Sequence, residues 1–143
     1  MTGIKRADKM EMLEFKHNEE VVARYIPSGA WTDGLGFYSQ ENESIQVGTW
    51  QYDKGKELQK HRHMIVERAI ARTQEVLFIV SGSVKAKIYT LDEKFLDEVI
   101  LSQGDTLILL NCGHGYEILL DNTKVLEVKN GPYPGAEADR KRF

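Results

Sequence analysis

Short apolar runs separated by turn-forming residues dominate the chain, and no segment keeps a helical period of apolar positions over three turns. Turns are indicated where glycine, proline, serine, asparagine and aspartate cluster, as at residues 27–29, 81–83 and 102–105. The runs predict strands at residues 10–15, 21–26, 36–39, 44–52, 74–81, 84–90, 95–101, 106–110, 116–120 and 124–129. Many short strands at close spacing predict an all-β domain, a sandwich or jelly roll.

One predicted strand shows how many layers the domain needs. From residue 75 onward, Glu75, Leu77 and Ile79 share one face, and three apolar residues occupy the other, since strand side chains alternate. A strand that is apolar on both faces needs cover on both, from an N-terminal segment or from another subunit. We therefore expect a homodimer as one way to supply that cover.

Composition narrows the class of protein. With 143 residues, 41% hydrophobic and 29% charged, the chain is typical of one ordinary globular domain. A net charge of −3 argues against a general nucleic-acid binder, whose affinity comes from phosphate neutralisation. The single cysteine, Cys112, cannot form an internal disulfide and reads as a small apolar residue. No apolar run reaches about 18 residues, and residues 1–14 are charged, so we expect a cytoplasmic protein without a membrane partner.

Two histidines lie inside the most basic part of the chain. Residues 54–72 contain six Lys or Arg and two Glu, a local net charge of +4, around His61 and His63. If the two histidines lie on a strand, their imidazoles point to one face and can meet one metal ion. Glu75 begins an apolar strand, where an unpaired carboxylate is costly, and is the candidate carboxylate ligand. The alternative is a metal-free site in which the histidines bind a ligand and Glu75 pairs with a buried arginine.

These residues resemble the first cupin motif, in which glycine, His-x-His, glutamate and glycine follow one another. Here Gly55 precedes His61 by five intervening residues, and Glu75 precedes Gly82 by six, as in the family. The departure is an insert of eleven residues between His63 and Glu75. The insert leaves Gln74 as the competitor of Glu75.

The second cupin motif is present in part, over residues 104–116. The Gly104-Asp105 turn and the apolar strand are kept, but the proline is missing, and strict spacing places Gly115 where the family has histidine. A slip of one residue delivers His114 instead, with Tyr116 as the alternative ligand on the same face. The resemblance thus implies one divalent ion, Zn, Fe, Mn or Ni, bound by His61, His63, Glu75 and His114.

The resemblance covers residues 55–143 and extends to the Arg-x-Ile-x-Arg-Thr-Gln-Glu and Gly-Pro-Tyr-Pro-Gly segments. In these segments the chain is similar to a little-characterised group of bacterial cupins whose genes often accompany surface-polysaccharide genes. It implies a single jelly-roll domain over residues 1–143, with N-terminal strands at about 10–52, barrel motifs at about 55–129 and a tail at 130–143.

The implied function is metal-assisted isomerisation or epimerisation of a small polar or anionic carbohydrate-type metabolite. Arg68 and Arg72 flank the mouth that the insert would form and are candidate substrate-binding residues, because guanidinium groups bind carboxylate and phosphate. Tyr116 is a candidate for both substrate binding and proton transfer. Two alternatives stay open: a non-catalytic sugar-binding cupin, and an Fe(II) dioxygenase. The substrate and the identity of the metal do not follow from the sequence.

Overall fold

The computed structural model describes residues 11–143, which form ten strands and little helix. The strands are β1 (Leu13–His17), β2 (Glu20–Ile26), β3 (Gly34–Phe37), β4 (Gly48–Gln51), β5 (Glu75–Ser81), β6 (Ser83–Tyr89), β7 (Phe95–Ser102), β8 (Thr106–Leu109), β9 (Gly113–Ile118) and β10 (Lys124–Lys129). A 3₁₀ turn covers Ser28–Ala30, and one short helix, α1, covers Ala136–Asp139. The predicted strand at residues 10–15 begins outside the described residues.

All strand pairs are antiparallel and fall into three sheets. A five-stranded sheet has the order β1-β2-β8-β5-β10, a three-stranded sheet has the order β7-β6-β9, and β3 and β4 form a hairpin. The predicted all-β class is confirmed. None of the helical residues in the described part of the chain forms a segment long and apolar enough to cross a membrane.

The main core contains inward-facing residues of both larger sheets. The five-stranded sheet contributes Phe15, Ala23, Tyr25, Leu77, Ile79, Leu107 and Leu109, and the three-stranded sheet contributes Val84, Ala86, Ile88, Val99 and Leu101. A second cluster, Ile26, Ile45, Ile108 and Leu110, covers the other face of the five-stranded sheet, where Val76 packs against it. The predicted cover on both faces of β5 is therefore present over its first residues, whereas Val80 is 47% exposed.

Asp105 ties the core together at the turn between β7 and β8. Its side chain is 1% exposed and accepts hydrogen bonds from the backbone N–H of Ser28 at 2.9 Å and of Ser102 at 2.8 Å. The hydroxyl of Tyr25 donates to it at 3.2 Å. Gly104, with φ +86°, makes the tight turn that places the carboxylate there. The Gly-Asp pair is therefore a structural element of the fold.

The segment between β4 and β5 differs most from the expectation. The predicted strand at 44–52 shortens to β4, and residues 52–74 contain no strand, so His61 and His63 do not lie on one. Every residue from 54 to 72 is exposed. A strand gains its stability from a partner strand and a buried face. Residues 54–72 have neither within the described residues, which explains why the local apolar pattern does not produce a strand.

Candidate functional site

A pocket of about 840 Å³ opens between the ends of β5, β9 and β10 and the C-terminal segment. Glu75, His114, Tyr116, Glu127 and Lys129 are among the residues that line it. They come from three strands of two different sheets, so the packing of the sheets against each other fixes their positions. A pocket of this volume is in the usual range for small-molecule sites, roughly 300–1,000 Å³.

Glu75 lies at the floor of the pocket and is 7% exposed. As the first residue of β5, it is paired across the sheet with Leu109 on one side and Lys129 on the other. Its Oε1 lies 3.3 Å from Nζ of Lys129, and its Oε2 lies 3.1 Å from Nε2 of His114. Burial acts to raise the pKa of this carboxyl, but His114 and Lys129 outweigh burial and leave the pKa below its usual value. The carboxylate form is thus favoured.

One oxygen of Glu75 is poorly satisfied. Oε2 is buried and, within residues 11–143, has no well-aligned hydrogen-bond donor, although Nε2 of His114 is at contact distance. A buried carboxylate oxygen without a donor is costly unless another group approaches it. Oε2 therefore marks the point of the floor that favours a bound proton donor or cation.

β9 brings His114 and Tyr116 to the same side of the pocket. They lie opposite Ile88 and Ala86 of β6, and their ring centroids are 5.2 Å apart. Burial, together with Glu75 and Glu127, raises the pKa of the Tyr116 phenol, which therefore keeps its proton at neutral pH. Tyr116 can thus donate a hydrogen bond to a ligand in this pocket.

β9 begins earlier than predicted, and its two glycines explain why. Gly113 and Gly115 weaken the strand signal in the sequence. In the structure they lie opposite Tyr89 and Lys87 of β6, so small residues face large ones. This start places His114 within the strand.

The sequence reasoning missed Lys129 and Glu127. Both line the pocket from β10, and Nζ of Lys129 lies 3.3 Å from Oε1 of Glu127 as well as from Glu75. Burial acts to lower the pKa of Lys129, but Glu75 and Glu127 raise it above its ordinary value. The sequence did offer a signal for them. Glu127 and Lys129 carry opposite charges two residues apart on the predicted strand at 124–129, and such positions share a face of the strand.

The rim of the pocket is cationic. Arg72, Arg140, Lys141 and Arg142 all line it. Lys141 forms an ion pair with Glu93, and Arg140 donates to the hydroxyl of Tyr133 at 3.1 Å. Among the described residues, neither Arg72 nor Arg142 has a carboxylate within ion-pair distance. Two guanidinium groups are thus available to an anionic ligand.

The C-terminal segment is held against the pocket by specific contacts. Thr73 donates a hydrogen bond to Asp139, and the ring of Phe143 lies 5.3 Å from that of Tyr89 in an edge-to-face arrangement. This segment, which we expected to be a tail, is therefore one wall of the pocket.

Cys112 also lines the pocket, in surroundings that disfavour its thiolate form. Burial and the nearby Glu75 raise the pKa of its thiol to about 12, so the thiol keeps its proton at neutral pH. The interpretation of Cys112 as a small apolar residue agrees with this environment.

The four predicted metal ligands fall into two pairs. Glu75 and His114 meet in the pocket, whereas His61 and His63 lie together in the exposed segment, with ring centroids 5.3 Å apart. Within residues 11–143, no three His, Cys, Asp or Glu side chains are arranged to hold a metal ion. The donor types suit a divalent transition metal, but in this arrangement the set of four does not fit around one ion.

The remaining candidates are also separated by position. Arg72 lines the pocket, whereas Arg68 lies in the exposed segment and donates to the carbonyl oxygen of Val66 at 3.3 Å. Gln74, the competitor of Glu75, is buried, and its side-chain oxygen accepts the backbone N–H of Ile45 at 2.9 Å. Of these two neighbours, the structure places Glu75 at the pocket.

The pocket therefore brings together Glu75, His114, Tyr116 and Arg72 from the predicted set and adds Lys129. These groups offer a buried carboxylate, an imidazole, a phenol and cations to one ligand. Comparison of the chain with protein-family models, with curated proteins and with solved structures found no match.

Proposed function

We propose that the protein is a cytoplasmic cupin with a jelly-roll domain that binds a small anionic carbohydrate-type metabolite and isomerises or epimerises it by proton transfer. The observation that carries the proposal is the contact of 3.1 Å between Glu75 and His114 at the floor of the pocket. A carboxylate beside an imidazole is the arrangement of an oriented general base. Its position in a pocket favours catalysis over a purely structural role.

The rim supports an anionic ligand. Arg72 and Arg142 line the mouth without a carboxylate partner in the described part of the chain, and guanidinium forks bind carboxylate and phosphate groups. The interior combines these cations with Glu75, Glu127 and the phenol of Tyr116. Such a lining suits a ligand with one acidic group and several hydroxyls.

The floor supports proton transfer next to a carbonyl group. Nε2 of His114 faces Glu75, which leaves Nδ1 as the nitrogen that exchanges a proton with the ligand. In this scheme a C–H bond next to the carbonyl breaks, its proton moves to the imidazole, and Glu75 stabilises the imidazolium that forms. The protonated phenol of Tyr116 donates to the carbonyl oxygen as negative charge develops there. Protonation of the same carbon by water on the opposite face gives an epimer. Delivery of the proton to the neighbouring carbon, with transfer of the hydroxyl proton to the former carbonyl oxygen, gives an isomer.

Solvent deuterium exchange tests this proposal. The purified protein is incubated in D₂O with a panel of uronic acids, aldonic acids and sugar phosphates, and C–D formation is followed by NMR. We expect exchange next to a carbonyl, and its loss in His114→Ala. Binding by calorimetry without any exchange would favour the alternative of a non-catalytic sugar-binding module, and absence of binding across the panel would contradict the proposal.

A metal-assisted form of the same function is the second candidate, and the unsatisfied Oε2 of Glu75 favours it. Glu75 and His114 would supply two ligands, and His61 and His63 two more if their segment approached the pocket.

Elemental analysis tests the metal. We expect about one equivalent of a first-row divalent ion, and loss of that ion in the double variant His61→Ala/His63→Ala with a cooperative thermal transition retained. Protein that holds no ion even after reconstitution would contradict the metal-assisted form.

A further inference from the structure

Within the described residues, the basic arm, residues 54–72, belongs to no strand or helix and contributes no buried residue to the core. All its residues are exposed, and its hydrogen bonds to other residues are local, apart from the carbonyl of Arg72, which accepts from Asn130. It nevertheless carries large apolar side chains: Met64 is 65% exposed, Ile65 is 100% exposed and Val66 is 57% exposed. Three consecutive exposed apolar residues are unusual unless another surface covers them.

A second feature is an apolar opening in the body of the molecule. Between the edges of β9 and β10 an apolar slot of about 230 Å³ opens onto the main core. Its inner wall is formed by Leu77, Ile79, Val84 and Leu101, and its rim by Tyr116, Ile118, Val125 and Glu127. β9 and β10 each end their sheet, so within the described residues both present an unpaired strand edge beside the slot. Exposed edges of this kind accept an added strand.

Charge favours contact between an arm and the body of the molecule. The whole chain carries −3 and the arm +4, so the remaining residues carry −7. A basic arm is attracted to an acidic body, whereas two arms repel each other. This pattern favours a pairing in which each arm lies on a body rather than on another arm.

We propose that the arm of one copy lies in the slot of a second copy, as an added strand along β9 or β10, and that the exchange is reciprocal. An isologous dimer of this kind satisfies both arms and both slots with one twofold axis. The 19-residue arm is joined to β4 at one end and to β5 at the other, so at about 3.3 Å per extended residue it reaches roughly 30 Å from the body, more than the roughly 20 Å length of a six-residue strand. The arm and the slot together would contribute a number of residues from each copy that is comparable with the roughly 20–30 residues per partner in a standard protein–protein interface.

Light scattering after size-exclusion chromatography tests the exchange. We expect a dimer at micromolar concentration, and a dissociation constant raised at least about 30-fold by Ile65→Asp, since a central apolar anchor is lost. Because Ile65 is fully exposed within one copy, this substitution leaves the fold of the monomer intact. Leu91→Asp, at a 64% exposed position in the β6–β7 turn, is the matched control and should leave the dimer unchanged.

A mixing experiment separates reciprocal exchange from other modes of association. Ile118→Asp alters the rim of the slot, so this variant and Ile65→Asp should each be monomeric alone but should form a heterodimer with one intact arm and slot when mixed. A monomeric wild type, which includes an arm that docks on its own molecule, would overturn the proposal. So would an Ile65→Asp variant that dimerises as tightly as wild type.

Discussion

Two buried carboxylates of this protein have opposite environments. Asp105 is 1% exposed and accepts hydrogen bonds from two backbone N–H groups and a tyrosine hydroxyl. Glu75 is 7% exposed, contacts His114 and Lys129, and has an oxygen with no aligned donor in the described residues. Burial raises the pKa of Asp105 despite its donors, whereas the contacts of Glu75 lower its pKa despite burial.

The partners of the two acids predict a structural role for Asp105 and a ligand-binding role for Glu75. Backbone donors around Asp105 join the turn at 102–105 to residue 28, and no ligand could reach them without breaking those bonds. Side chains rather than backbone N–H groups contact Glu75, and its carboxylate faces a pocket where a ligand can reach it. Burial alone therefore does not identify a functional acid, whereas the type of its partners does.

Replacement of Asp105 should have the largest effect on stability. Asp105→Ala removes the hydrogen bonds that two backbone N–H groups and the Tyr25 hydroxyl donate to the carboxylate, and we expect a loss of roughly 3 kcal/mol in the free energy of unfolding. Urea denaturation followed by circular dichroism measures it. Asp121→Ala, in an exposed turn, is the control and should change stability by less than about 0.5 kcal/mol. Equal effects of the two variants would show that Asp105 is not a structural acid.

Replacement of Glu75 should mainly affect the ligand. Glu75→Gln keeps the size of the side chain but removes the charge beside His114, so we expect deuterium exchange into the ligand to fall at least about 100-fold. The thermal midpoint should stay within a few degrees of wild type, because Lys129 retains Glu127 as a partner. A loss of stability as large as that of Asp105→Ala would remove the distinction between the two acids.

Replacement of Tyr116 should have a smaller effect at the same pocket. Tyr116→Phe removes one hydrogen-bond donor and keeps the ring beside His114, so we expect about a 10-fold slower exchange with ligand affinity little changed. Kinetics at saturating ligand separate the two quantities. An unchanged rate would exclude the phenol from the proton-transfer step.

The dependence of stability on pH should have opposite signs for the two acids. The pKa of Glu75 lies below its usual 4.5 in the folded state, so its stabilisation is present above that value and is lost as the pH falls through the lowered pKa. The pKa of Asp105 lies above its usual 3.8, so its contribution is complete below that value and declines as the pH rises through the raised pKa.

Denaturation of matched variants measures this contrast. From about pH 3 to pH 6, the free energy of unfolding of wild type minus that of Glu75→Gln should rise. The same difference for Asp105→Asn should fall. Slopes of the same sign would show that the two environments do not differ as described.

The sequence predicts the parts of the site that depend on local pattern. The alternation from Glu75 onward indicates correctly which side chains of β5 face the core, and His114 and Tyr116 share a face as expected. The contact of Lys129 with Glu75 could not be predicted from local pattern, because it depends on the pairing of β10 with β5, which are about fifty residues apart in the sequence.

The position of the basic arm could not be predicted from local sequence pattern. The predicted metal site requires its histidine pair to lie on a strand, because only then do both imidazoles point to one face. A strand forms only where a neighbouring edge accepts it, and that edge is a property of the folded sheets. Whether His61 and His63 reach a metal remains a prediction that depends on the partner of the arm.

The pairing of β2 with β8 has a consequence for how fast the molecule folds. Ala23 lies opposite Leu109, and Glu75 of β5 lies opposite the same residue, so the sheet under the pocket joins distant parts of the chain. Proteins dominated by such non-local pairings usually fold in milliseconds to seconds rather than microseconds. A fragment that ends before β8 lacks the strand that pairs with both β2 and β5, so the pocket cannot assemble in it.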